Sequence, residues 1–339
     1  MKFGLFGSAQ AARSEGGDVD SGAGFKDFIE SNVEAEALGY HSTFLVEHHF
    51  TGLGQISASL NLLTWLGART TTLRLGTAVM VLPWHNPVLL SEQVATLDLL
   101  SGGRVDFGIG KGYRHNEFAG FCIPMEEAEE RFEESIEVIK KAWTSNERFS
   151  HHGKFWKFED IIVEPPTAQY PHPPIWMGAG SAVSIKKVAQ RGYSLLLDQF
   201  ASVEQIGERI QLFKAECKAI GREFDPMSVA VARSINVTTN EAEREQAIEK
   251  RLVAKRRQNV LAERPDGNNK SSLMAYSDTK EMAEASALYG TPDEILEKIE
   301  ALSEVGVAYI LCNSAGGRDS MRRFAKEVIR HDGAKIIKK

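Results

Sequence analysis

Thr291-Pro292-Asp293-Glu294-Ile295-Leu296-Glu297-Lys298-Ile299-Glu300-Ala301-Leu302-Ser303-Glu304-Val305-Gly306-Val307-Ala308-Tyr309-Ile310-Leu311-Cys312 spells out one complete structural unit. Thr291 is a helix cap, Pro292 occupies the first helical position where its missing donor costs nothing, and Glu294 completes a capping box. Ile295, Ile299 and Leu302 follow at helical spacing, and Gly306 ends the helix. Val307 to Cys312 is then a short apolar run without alternation. Such a run is buried on both faces, as are the strands of a parallel sheet covered by helices.

The same unit recurs along the chain. The pattern predicts strands over Phe3–Phe6, Thr43–Val46, Leu73–Leu82, Arg104–Ile109, Ile175–Gly178, Ser194–Leu197, Met227–Val237 and Val307–Cys312. Helices are expected at Phe25–Gly39, Ser57–Thr70, Pro87–Leu100, Glu126–Trp143, Ala182–Gln190, Val203–Ile220, Thr291–Gly306 and Gly317–Ile329. Residues 149–174 read as a β-hairpin and connector, and the polar stretch 239–290 as a helix plus mobile loop containing Arg264-Pro265-Asp266-Gly267-Asn268-Asn269. Eight strand–helix units favour an α/β architecture, a single (β/α)8 TIM barrel over residues 1–339, with insertions at about 144–174 and 239–290. A doubly wound open sheet is the competing architecture.

The chain has 339 residues, within the span of one such barrel, and its 42% hydrophobic content can fill a large core. A net charge of −6 argues against nucleic acid and anionic membranes as partners. Cys122, Cys217 and Cys312 are isolated, which fits a reducing cytoplasm. No apolar run is long enough to span a bilayer, and the apolar stretch at Met1–Gly7 is too short for a signal segment.

In a barrel the chemistry lies at the C-terminal ends of the strands. The second strand ends in Glu47-His48-His49-Phe50, placing two imidazoles there; neighbouring residues of a strand point to opposite faces, and no metal-ligand spacing accompanies them. The fourth ends in Gly108-Ile109-Gly110-Lys111-Gly112-Tyr113. This is neither a dinucleotide fingerprint nor a P-loop, but a turn that can let a planar ligand approach, with Lys111 available to a phosphate. The fifth ends in Gly178-Ala179-Gly180-Ser181 at the start of a helix, where backbone N–H groups and the hydroxyls of Ser181 and Ser184 can take an anion. Capping alone also accounts for Ser181.

Val46-Glu47-His48-His49-Phe50-Thr51, Leu75–Pro83 (LGTAVMVLP), Ser101–Ile109 (SGGRVDFGI) and Tyr289–Glu294 (YGTPDE) together resemble the bacterial luciferase α-subunit and its flavin-dependent monooxygenase relatives. The similarity runs in register through nearly the whole chain. It implies a barrel with an excursion after the fourth strand and a lid after the seventh. The implied cofactor is FMN, used as FMNH2 supplied by a separate flavin reductase. The implied reaction passes through a flavin C4a-peroxide and inserts one oxygen atom of O2 into a small organic substrate. Carried over position by position, His48 matches the catalytic histidine and His49 its neighbour, and Ala78–Val79 matches a non-prolyl cis peptide beneath the flavin ring. Lys111, Gly180, Ser181 and Ser184 match phosphate contacts. Gly110 departs from the reactive cysteine of the luciferase subunit, and Lys111 stands where it has arginine; both argue against light emission from long-chain aldehydes.

Phe6, Phe50, Trp84 and Phe200 are expected as apolar walls, and Lys255-Arg256-Arg257 as a solvated helix face. The resemblance further implies a dimer, homomeric or heteromeric, through the helices after strands two and three, the first of which carries Leu60, Leu63, Trp65 and Leu66. Two other functions fit the same barrel: a hydride-transfer enzyme using the deazaflavin F420, and a non-catalytic partner subunit of an active homologue.

Overall fold

Eight parallel strands close into a ring: β1 (Lys2–Gly7), β2 (Ser42–Leu45), β3 (Arg74–Thr77), β4 (Val105–Gly110), β5 (Ile175–Gly178), β6 (Ser194–Leu197), β7 (Val229–Val237) and β8 (Tyr309–Ser314). Each pairs with the next, and β8 returns to β1 with Leu5 opposite Cys312. This computed structural model describes residues 1–13, 19–20, 22–267 and 271–330. The ring is the TIM barrel that the repeated unit implies, and it rules out the open sheet.

Helices α1 (Asp27–Leu38), α2 (Ser59–Ala68), α3 (Pro87–Leu100), α4 (His115–Gly120) and α5 (Ala128–Thr144) surround the first half. The second half has α6 (Ala182–Gln190), α7 (Val203–Ala219), α8 (Glu241–Ala262), α9 (Lys280–Ala285), α10 (Pro292–Glu304) and α11 (Gly317–Phe324). Local chemistry sets their ends. Asn86 caps α3 through Val88 and Leu89 N–H, and Thr291 and Glu294 close the capping box of α10.

Strand residues alternate between two cores. Phe3, Leu5, Leu45, Leu75, Phe107, Ile109, Leu195 and Ile310 face the helices, whereas Phe44, Trp176, Leu196, Ala230, Tyr309 and Leu311 fill the barrel. Space inside is limiting: a Cβ on Gly76 would run into the Phe44 ring, and one on Gly108 into the Thr77 carbonyl. Inside the barrel Arg74 donates to both oxygens of Asp106 at 2.7 and 2.8 Å, and Trp176 Nε1 adds a third bond at 3.2 Å. The buried Asp106 carboxylate thus has its counter-charge.

Four expectations need correction. The third strand is not continuous over 73–82: it stops at Thr77, and Met80–Val81 resumes pairing with β4 after a cis Ala78–Val79 peptide. The stretch 239–290 holds, besides α8, a second helix (α9) and a short strand, Ala287–Gly290, which pairs in parallel with Ser234–Val237. Shortness hid both, the helix having six residues and the strand four. Residues 268–270 of its loop, including Asn268 and Asn269, lie outside the described residues. Lys255 is not on a solvated face; it is 2% exposed, donating to Leu273 O at 2.7 Å over the Phe200 ring. The helical repeat of α8 turns Arg251 and Lys255 inward together, an i,i+4 pair that the charge run concealed. Leu60, Leu63 and Leu66 are core, leaving only Trp65 of that set outside.

The hairpin expected after the fourth strand is present, with Phe149–His152 antiparallel to Lys157–Ile161. Among the described residues no helix is long and apolar enough to cross a membrane.

Candidate functional site

The C-terminal ends of the strands open into one cavity of about 1880 Å³. Its wall takes residues from every part of the ring: Phe6 after β1, His48 after β2, Ala78–Val79 after β3, Lys111 after β4, Gly180–Ser184 after β5, Phe200 after β6 and Leu311 on β8. Gln258 and Ala262 of α8, with Leu273–Ala275, overhang it.

His48 is fixed from behind. Its Nδ1 bonds Glu117 Oε1 at 2.9 Å, and the same oxygen accepts the His49 N–H at 2.9 Å. Glu117 is 1% exposed. Because a carboxylate only accepts, Nδ1 carries the proton and Nε2 keeps its lone pair. Burial holds the His48 pKa below the ordinary imidazole value, Glu117 acting in the opposite direction and the positive charge of Arg114 in the same one. The side chain is therefore a neutral imidazole with a free ring nitrogen at neutral pH.

His49 diverges from it. Its Nε2 bonds Glu47 at 2.8 Å, and its ring packs among Phe50, Trp84 and Phe121, outside the cavity wall. Glu47 is a junction: it also accepts from His85 Nε2 at 2.6 Å, Trp84 Nε1 at 3.1 Å and Val81 N at 2.7 Å. Burial pushes its pKa up, but the bonds from His49, His85 and Val81 outweigh this and hold it at about 2. Glu47 thereby ties the end of β2 to the chain beyond the cis peptide. Phe50 and Trp84 likewise lie outside the cavity, while Phe6 and Phe200 line it.

The floor is apolar. Val79, at the cis Ala78–Val79 peptide, and Phe6 both pack against the cluster that contains Leu196 and Leu311. Gly110 is required beneath it, since a Cβ there would come within 2.6 Å of Val79 Cγ2. A cysteine at 110 would displace that seat.

At one side the N-terminus of α6 faces the cavity. Ser181 and Ser184 form a reciprocal capping box, with their hydroxyls 2.8 Å apart. The first helical N–H groups, those of Ala182 and Val183, have no intrahelical acceptor. Lys111 and Lys187 both reach this side, at 2.7 and 2.8 Å from the two oxygens of Glu129. Hydrogen bonds from the two lysines, Lys111 first, hold the Glu129 pKa at about 2 despite partial burial. Two ammonium groups, one carboxylate and a helix N-terminus leave a net positive cradle.

Lys111, Gly180, Ser181, Ser184, Ala78, Val79 and His48 are thus gathered around one cavity. Glu117, Lys187 and Glu129 were missed from sequence. Lys187 falls three residues after Ser184 on the same helical face, a spacing that could have revealed it. Glu117 sits on α4, the short helix after the fourth strand, where barrels place functional groups, but nothing in its local pattern pairs it with His48.

This arrangement fits FMN in three respects: a phosphate cradle, a flat apolar seat and a neutral imidazole, all facing one volume. Relatives of this chain include both FMN-dependent and F420-dependent enzymes. A family model described as luciferase-like monooxygenase matches residues 1–309. The FMNH2-dependent dimethylsulfone monooxygenase of Pseudomonas putida is 29% identical over 279 residues, covering 77% of this chain and 75% of that protein. The F420-dependent glucose-6-phosphate dehydrogenase of Segniliparus rotundus is 25% identical over 88% of this chain and 90% of its own. The crystal structure of the monooxygenase RslO1 from Streptomyces bottropensis superposes with a TM-score of 0.82 at 25% identity, covering 98% of this chain and all of that one.

Proposed function

The chain belongs to the luciferase-like monooxygenase family, and from that premise we propose that it is an FMNH2-dependent monooxygenase placing one oxygen atom of O2 in a small organic substrate. The observation that carries this reading is the joint placement of the cradle at Ser181, Lys111 and Lys187 and the neutral His48 imidazole around one apolar floor. Reduced FMN held there would supply the two electrons that activate O2, one oxygen atom passing to the substrate and the other leaving as water.

The residues of this chain hold, shield and move a proton. Lys111, Lys187 and the N-terminus of α6 would hold the phosphate, and Val79 with Leu196 would seat the ring. His48 Nε2, backed by Glu117, accepts or returns a proton at the cavity face, as a general acid/base with a pKa tuned by its surroundings. Helix α8 and the 271–275 stretch exclude water, held down by Gln258 Nε2 on the Tyr113 hydroxyl at 2.7 Å. His49 acts at one remove, through Glu47. A separate reductase supplies the reduced flavin, in keeping with a relative described as an oxygenase component.

Trp65 on α2 and Leu89, Leu99 and Leu100 on α3 are exposed apolar side chains on adjacent helices. An apolar patch of this kind marks an association surface, and we assign it to a homodimer; a homologous second chain would use the same face.

The cofactor assignment is tested by anaerobic titration with reduced FMN, reduced riboflavin and reduced F420. Reduced FMN should bind most tightly, and Lys111→Ala should weaken it roughly tenfold to a hundredfold, the worth of a charge-assisted contact, with little effect on riboflavin. Tighter binding of reduced F420 would replace this reading with hydride transfer.

A further inference from the structure

The loop leaving β4 carries two cations in different directions. Lys111 turns to Glu129 and Lys187, whereas Arg114, three residues on, lies beside Tyr113 and His48. Arg114 lines the cavity, yet it is only 7% exposed. Its one hydrogen bond is long, from Nε to the Tyr113 hydroxyl at 3.4 Å, and its Nη1 is buried with no partner. Among the described residues no carboxylate lies within ion-pair distance of it. The two nearby acids are already engaged, Glu117 by His48 and His49, Glu47 by His49, His85 and Val81.

A guanidinium withdrawn from water without a counter-charge is costly, and proteins retain one where a ligand supplies the missing anion. Its planar donors match a carboxylate or a phosphate, and a phosphate has the cradle at Ser181. We propose that Arg114 binds the negative charge of the organic substrate, so that the substrate is a carboxylate whose reacting carbon is held near His48. This rests on the monooxygenase reading for the role of His48, but the anion site itself does not. The cradle at Ser181 is a different site, because its lysines are turned to Glu129.

Fluorine NMR titration of the FMN-saturated protein with two acid–amide pairs tests the assignment: 4-fluorobenzoate against 4-fluorobenzamide, and difluoroacetate against difluoroacetamide. At least one acid should bind ten to a hundred times more tightly than its amide. Arg114→Leu should abolish that preference without weakening FMN more than a few-fold, and Arg114→Lys should restore part of it. The long Arg114 hydrogen bond makes a folded leucine variant expected, and the lysine variant gives an independent reading. Absence of any acid preference would overturn the proposal, as would a preference that survives Arg114→Leu or disappears instead in Lys111→Ala. Loss of FMN affinity in Arg114→Leu as large as in Lys111→Ala would assign the guanidinium to the flavin. If the wild type binds no FMN but keeps an Arg114-dependent acid preference, the anion site stands and the monooxygenase reading falls.

Discussion

Replacing Glu117 with Gln separates the charge behind His48 from the shape around it. The amide carbonyl can still accept from His48 Nδ1 and the His49 N–H, now both at 2.9 Å from Glu117 Oε1, so the packing of a nearly inaccessible side chain is kept. What disappears is charge assistance. Charged hydrogen bonds contribute about 1.5–3 kcal/mol and neutral ones about 0.5–1.5, so each of the two bonds loses roughly 1 kcal/mol. A stability loss of about 1–3 kcal/mol is expected, smaller if relief from burying a carboxylate offsets part of it. The effect on His48 has a definite sign. Glu117 favours the protonated imidazole, so its neutralisation lowers a pKa that burial already holds down, and any activity limb set by His48 moves to lower pH. Turnover should fall about fivefold, the rate equivalent of one weakened bond of this size, while FMN affinity stays within a few-fold. Nitrogen-15 NMR of the histidine ring reads tautomer and pKa together. A wild-type His48 protonated on Nε2, or a pKa that is unchanged or higher in Glu117→Gln, would refute the reasoning.

His48→Ala should leave FMN affinity within a few-fold while product formation falls roughly 10²–10⁴, with oxygen still consumed and recovered as hydrogen peroxide. Wild-type coupling of oxygen to product in that variant would make His48 structural. In flavin titrations Glu129→Gln should tighten FMN relative to riboflavin, because a carboxylate now shares the two lysines that face the phosphate cradle; weaker FMN binding would show that Glu129 organises the cradle rather than competing for it. Light scattering should find a dimer at micromolar concentration, and Trp65→Glu with Leu100→Glu should yield folded monomer; a wild-type monomer contradicts the assigned face.

The barrel was legible because its evidence is local and repeated. Short apolar strands recur at each unit, several helices carry a capping side chain, and helix limits such as Pro87–Leu100 and Ala182–Gln190 agree residue for residue. The interruption at Ala78–Val79 was legible only as a family resemblance, since an unbroken apolar run carries no mark of a cis peptide. Lys255 misled because composition counts charges without recording direction, and tertiary packing turned it onto Phe200. At the site, the residues at strand ends were found and the groups acting on them were not. Glu117 meets His48 across 69 positions of chain, and Glu129 meets Lys187 across 58, so only the fold reveals either contact. His49 was named with His48, although strand geometry sends adjacent side chains apart and here sends His49 to Glu47.

Transfer of an oxygen atom from O2 to an organic substrate is the claim on which the account stands. It is tested by mass spectrometry of products formed under 18O2, with reduced FMN regenerated by a flavin reductase and a panel of aldehydes, ketones and aromatic compounds offered as free acids and as neutral analogues. The account predicts a product that gains one 18O atom, an acid being preferred over its neutral counterpart. Product that forms without oxygen by hydride transfer, or that takes its new oxygen from water, would contradict it.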